Sequence, residues 1–198
     1  EHMLFKGTER RAVGEIAADV EAAGGDINAW TSFDETVYHV TIASREVDTA
    51  LDILADAVQH SAFDAAELSR ELEVVIEEIR RGNDNPARVA SEMLFDTAYR
   101  AHPYRRPVIG YFETVKSFTR ARILDFYRRW YRPRNMYLIV VGDVDTQHIV
   151  ERARHLFAGD AADAAEARHP RPCESVPLAL RSAKASRDIE ETHLGLAW

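Results

Sequence analysis

Gly24-Gly25 separates two hydrophobic periods that no single element can satisfy. Before it, Val13, Ile16, Ala17, Val20 and Ala23 recur at helical spacing over Ala12 to Ala23, and glycine just past the last periodic residue is a common helix stop. After it, Ile27 to Thr31 reads as a strand, and Thr36 to Ala43 alternates Val37, His39 and Thr41 against Tyr38, Val40 and Ile42. A chain that changes from a helical to a strand period within so few residues must pack helices against a sheet.

Further along, the spacing predicts more helix than strand. Asp48 to Gln59 places Leu51, Leu54, Ala55 and Val58 inward, and Asp64 can cap a helix that runs to about Arg81. Gly82 to Asn85 breaks that helix, and Pro86 suits the first turn of the next, Ala87 to Tyr99. Thr119 caps a predicted helix to about Tyr131, which Pro133 ends, and Asp145 or Thr146 starts another to Phe157. Tyr137 to Val141 and His193 to Trp198 read as apolar strands, and Ala158 to Pro177 as a surface connection. Helices and strands alternate without βαβ regularity. The expected class is therefore α+β, a mostly antiparallel sheet with helices packed on it, forming one domain over 1–198.

Composition narrows the partners. The 198 residues carry a net charge of −8, which argues against nucleic acid as the ligand. No apolar run approaches the roughly 20 residues a membrane-spanning helix needs. The single cysteine, Cys173, excludes an internal disulfide and fits a reducing compartment. Richness in Ala, Arg and Asp adds the expectation of a bacterial, cytoplasmic origin.

The chemistry begins at Glu1-His2. In the inverted zinc-protease motif H-x-x-E-H, two His four residues apart share a helical face and hold the metal, and the Glu beside the second takes a proton from water. The run Glu1 to Thr8 reads EHMLFKGT. It is followed in order by an amphipathic helix, Gly24-Gly25, the strand Asn28-Ala29-Trp30-Thr31 and an acidic helix around Glu71 to Ile79. Together these resemble the M16 family of inverted-motif zinc peptidases, which includes mitochondrial processing peptidase, pitrilysin and insulin-degrading enzymes.

The resemblance implies a zinc-dependent endopeptidase domain. Glu1 would be the catalytic base and His2 a zinc ligand, and Glu78 would be the third ligand, with Glu71, seven residues earlier on the same face, orienting the site. Glu77 competes with Glu78 because the gap varies in the family. Asn28 and Ala29 would bind the peptide substrate along a strand edge. The family closes two such halves around the substrate, so a second half-domain or homologous subunit is the expected partner. The first His of the motif would precede Glu1. The chain is therefore expected to be incomplete at both ends and, alone, to bind zinc weakly and lack peptidase activity. Two rival readings use the same residues: a non-catalytic scaffold of this fold, and a metal-free peptide-binding module using Asn28 to Thr31. The remaining features read as structural, among them His39, His60, His193, the His102–Pro107 loop and Cys173.

Overall fold

The computed structural model describes residues 1–158, 170–176 and 179–198. They fall into two compact units. The first comprises Glu1–Glu71 with the described part of Phe118–Glu166, and the second Leu72–Ser117 with the described part of Ala167–Trp198.

In the first unit a 3₁₀ turn, His2–Phe5, leads to α1 (Glu15–Ala22), β1 (Asp26–Thr31), β2 (Thr36–Thr41) and α2 (Val47–His60). The helix α3 (Ala65–Asn83) begins here, and α6 (Arg120–Trp130) and α7 (Thr146–Leu156) complete the unit. α1 starts later than its periodicity suggests because Gly14, at φ +89°, supplies a left-handed residue at the cap. β1 and β2 pair antiparallel, from Asp26 opposite Thr41 to Thr31 opposite Thr36. Ile16 and Val20 of α1 pack with Ile53 and Ala57 of α2, and Phe5, Ile27 and Val40 close around them. One small core thus ties the N-terminal turn to the hairpin, and burying each such aliphatic side chain contributes about 1.5–3 kcal/mol.

Local caps follow the sequence. Asp64 Oδ1 accepts from the amides of Ala66 (2.8 Å) and Glu67 (3.0 Å) at the start of α3. Thr119 and Asp145 cap α6 and α7 in the same way.

The second unit carries the rest of α3, then α4 (Pro86–Ala98), capped by Asn85 with Pro86 in its first turn, and a short α5 (Phe112–Lys116) that the periodicity did not indicate. Here Glu174 Oε1 accepts from three consecutive amides, Arg100 (2.7 Å), Ala101 (2.5 Å) and His102 (2.6 Å). Arg181 donates to Ala98 O (2.9 Å) and Arg187 to Asn83 O (2.5 Å).

The α+β class holds, but the expected dominance of the sheet does not: among the described residues the sheet has two strands, and helices prevail. Tyr137–Val141 and His193–Trp198 are not strands. Tyr137, Ile139 and Val141 are 86%, 81% and 92% exposed, and Leu194, Leu196 and Trp198 are exposed as well. Apolar composition favours a strand, but a strand also needs a neighbouring backbone to form its ladder. The predicted connection at Ala158 to Pro177 lies largely outside the described residues. No described helix is long and apolar enough to cross a membrane.

Candidate catalytic site

Glu1 and His2 open the 3₁₀ turn, whose Met3 and Leu4 are buried. The turn is clamped from below. Ser61 Oγ donates to Met3 O (3.1 Å), the Ala62 amide donates to Gly7 O (3.1 Å), and Thr8 bridges Ser61. Gly7 has φ +93°, and a Cβ there would come 3.0 Å from Arg11 O, so both its conformation and its surroundings select glycine. Next to it, Thr8 Oγ1 donates to Asp56 Oδ2 (2.7 Å) and accepts from the Arg10 and Arg11 amides. The Asp56 side chain is fully buried and is neutralised by Arg11 Nη1 at 2.5 Å, while Arg11 Nη2 reaches Asp52 at 2.6 Å. An acid in the middle of an apolar helix face is here an internal anchor for the N-terminal turn.

His2 Nδ1 lies 2.9 Å from Glu71 Oε2, and Lys6 Nζ lies 2.8 Å from Glu71 Oε1. Glu71 is 8% exposed. Burial pushes its carboxyl upward, but hydrogen bonds and charge from Lys6 and His2 outweigh this and hold it below its ordinary value. The structure therefore brings together two of the residues singled out in the sequence. A histidine with one ring nitrogen engaged by a carboxylate has its tautomer and orientation set, which is the usual surrounding of a metal-binding imidazole. The donor chemistry on this side fits a zinc ion. Among the described residues, no cluster of three or more His, Cys, Asp or Glu is close enough to hold a metal.

Glu1 is met by a different partner. Thr31, the last residue of β1, donates its hydroxyl hydrogen to Glu1 Oε2. Thr31 Oγ1 stands 3.3 Å from Thr36 Oγ1, its cross-strand pair, and Tyr38 Oη stands 2.9 Å from Tyr131 Oη. Thr31 lay within a stretch already marked in the sequence. Tyr38, Tyr131, Lys6 and Asp56 carried no local signal.

Asn28 and Ala29 sit in mid-β1, opposite His39 and Tyr38. Asn28 Oδ1 accepts from the Ala29 amide (2.8 Å). Among the described residues β1 pairs only with β2, leaving its other edge as the kind of surface an extended peptide can join. Glu78 lies on α3, seven residues beyond Glu71. Glu71 is buried, but Glu77 and Glu78 are exposed, with buried Ile76 and Ile79 beside them. Glu77 is paired with Arg80. A cavity of about 470 Å³ in the first unit is lined by Arg11, Asp19, Asp48, Thr49, Asp52 and Ile53, and by neither Glu1 nor His2.

Comparison with known proteins gives two family matches: insulinase, peptidase family M16, over residues 1–111, and the M16 inactive domain over residues 117–198. An uncharacterized zinc protease from Rickettsia felis is 38% identical over 158 residues, covering 80% of this chain and 38% of that protein. The crystal structure of a protease from Helicobacter pylori matches at 33% identity with a TM-score of 0.77, covering 79% of this chain and 38% of the other. The first half of a periplasmic protease from Escherichia coli matches at 27% identity with a TM-score of 0.78, over 88% of this chain and 39% of the other. The chain thus spans less than half the length of these relatives.

Proposed function

The chain belongs to the insulinase family of peptidases, M16, and from that premise we propose that the protein containing it is a zinc-dependent endopeptidase, with Glu1 as catalytic base and His2 and Glu78 as zinc ligands. The observation that carries this reading is the contact between His2 Nδ1 and Glu71 Oε2, a buried carboxylate on an imidazole, which is the pairing that orients a metal-binding histidine. Zinc, when bound, supplies the Lewis acidity that polarises a peptide carbonyl. The protein side chains do the rest. Glu71 orients His2, and Glu1 removes a proton from the attacking water as its oxygen bonds to the carbonyl carbon. Glu1 then delivers that proton to the amine nitrogen as the carbon–nitrogen bond breaks. The substrate is a peptide or unfolded segment that lies along β1 at Asn28 and Ala29, with main-chain hydrogen bonds giving sequence-tolerant affinity. A second M16-type half-domain or subunit completes the enzyme. The match of 117–198 to a domain described as inactive favours, as a second reading, a non-catalytic scaffold of the same fold.

The two readings separate in one experiment. The protein containing this chain is assayed on an unfolded peptide, with and without EDTA, beside Glu1→Gln. Cleavage that EDTA abolishes, zinc restores and Glu1→Gln loses supports the peptidase. Absence of cleavage in the unmodified protein favours the scaffold, and cleavage that survives Glu1→Gln removes Glu1 as the base.

A further inference from the structure

The Lys6 ammonium has no part in the chemistry proposed above, yet it is built into the same turn as His2. Lys6 closes that 3₁₀ turn, its amide donating to Met3 O at 3.2 Å, and its Nζ lies 2.8 Å from Glu71 Oε1. The other oxygen of the same carboxylate, Oε2, lies 2.9 Å from His2 Nδ1. One turn of backbone thus supplies a partner to each oxygen of a single carboxylate on α3. We infer that Lys6 is a positioning residue for the zinc ligand His2: by holding Glu71 Oε1, it keeps Oε2 turned toward the imidazole.

A glutamate carboxylate hangs on several rotatable bonds, so one contact with His2 does not fix its direction. A second contact, on the opposite oxygen, removes that freedom. Burial makes the second contact necessary, because a carboxylate oxygen left without a partner in a buried place costs free energy. The Lys6 side chain is 31% exposed, so water lies on that side of Glu71. Without the ammonium, Oε1 is satisfied by swinging toward that water, which takes Oε2 out of line with Nδ1. An ionised carboxylate only accepts, so Nδ1 carries the hydrogen and the same contact sets the ring tautomer. The turn itself is fixed on both sides of Lys6, by Ser61 Oγ on Met3 O (3.1 Å) and by the Ala62 amide on Gly7 O (3.1 Å). Charge alone predicts the opposite outcome. A cation close to a zinc ligand repels the metal, so by Coulomb's law its removal would tighten zinc binding. The sign of the effect therefore tells positioning from simple repulsion.

Lys6 acts in this way only if His2 is a zinc ligand, as proposed above, and the test separates the two. Zinc affinity is measured in the protein containing this chain by competition with a chromogenic chelator. Lys6→Met keeps the length and apolar stem of the side chain without its charge. It should weaken zinc binding about 3- to 10-fold, less than loss of the orienting carboxylate itself. Lys6→Arg, which returns a charged donor to Oε1, should stay within about twofold of the unmodified protein. The double variant Lys6→Met/Glu71→Gln should bind zinc no more weakly than Glu71→Gln alone, because Lys6 acts through that carboxylate. A second readout needs no metal. In the zinc-free protein at about pH 8, above the ordinary imidazole range, the nitrogen-15 shifts of the His2 ring should place the hydrogen on Nδ1. In Lys6→Met they should show a mixture of both tautomers. Zinc binding in Lys6→Met that is unchanged or tighter, equal losses in Lys6→Arg and Lys6→Met, additive losses in the double variant, or an unaltered His2 tautomer would each overturn the inference. Zinc affinity that survives His2→Ala would instead overturn the reading of His2 as a ligand.

Discussion

His2 Nδ1 and Glu71 Oε2 meet at 2.9 Å although 69 residues separate them in the chain. Lys6, four residues after His2, holds the other oxygen of the same carboxylate at 2.8 Å. Glu71 is thus shared between an imidazole and an ammonium, and it stays ionised despite being buried because both partners favour its charge.

Removing this carboxylate should loosen the metal. Glu71→Gln in the protein containing this chain should weaken zinc binding about 10- to 100-fold, the usual effect of losing a partner that orients a ligand. Competition with a chromogenic chelator measures it directly. Unchanged affinity would take Glu71 out of the site.

The anchor beneath the turn should matter for stability. Asp56→Ala strips Arg11 and Thr8 of their shared partner and should cost about 3–5 kcal/mol, as expected when one member of a buried ion pair is removed. Urea unfolding of the chain would show this as a lower midpoint. A loss below about 1 kcal/mol, the scale of exposed pairs, would mean that water reaches the pair.

Tyr127 links α6 to the strand-like segment that holds Met3. Its hydroxyl donates to Val58 O (3.0 Å) and accepts from the Ser61 amide (3.3 Å), and burial pushes its pKa up to about 12. Tyr127→Phe keeps the packing on Phe63 but leaves both backbone groups unpaired, so a loss of about 1–3 kcal/mol is expected in the same urea experiment.

The second unit should respond to acid through Glu174. Hydrogen bonds from His102, Ala101 and Arg100 hold its carboxyl below its ordinary value of 4.5. A depressed native pKa means that the unfolded chain binds a proton first as pH falls. The contribution of Glu174 is therefore complete above about pH 4.5 and is lost as pH drops through the lower native value. Amide proton shifts of Arg100, Ala101 and His102 should move together over that window, and Glu174→Gln should abolish the movement.

Much of the local structure could be read directly. Asp64, Thr119 and Asp145 cap the helices that their positions announce, and Pro86 stands in a first turn. These are decided by side chains reaching their own backbone within three residues, so the information is contiguous. Tyr137–Val141 shows where that kind of reading stops. Its continuous apolar run suits a strand, yet pairing depends on a second segment elsewhere, and the structure gives it none among the described residues. Asp56 is a similar case. Nothing in Ala55-Asp56-Ala57 announces a buried acid, because its neutralising Arg11 comes from another part of the chain.

By itself, the sequence determined the class of the fold, most of the helix limits and the family, all of which depend on periodicity, caps and short ordered motifs. It also marked Glu71 and Glu78 as a pair of acids on one helical face, with nothing to distinguish their surroundings. Only the tertiary structure decided that Glu71 is buried against His2 and Lys6, that Glu78 is exposed, and that Glu1 accepts a hydrogen bond from Thr31. The physical reason is that a side chain's charge state and orientation are set by the groups that surround it. Those groups are brought together by the path of the chain and not by their order along it.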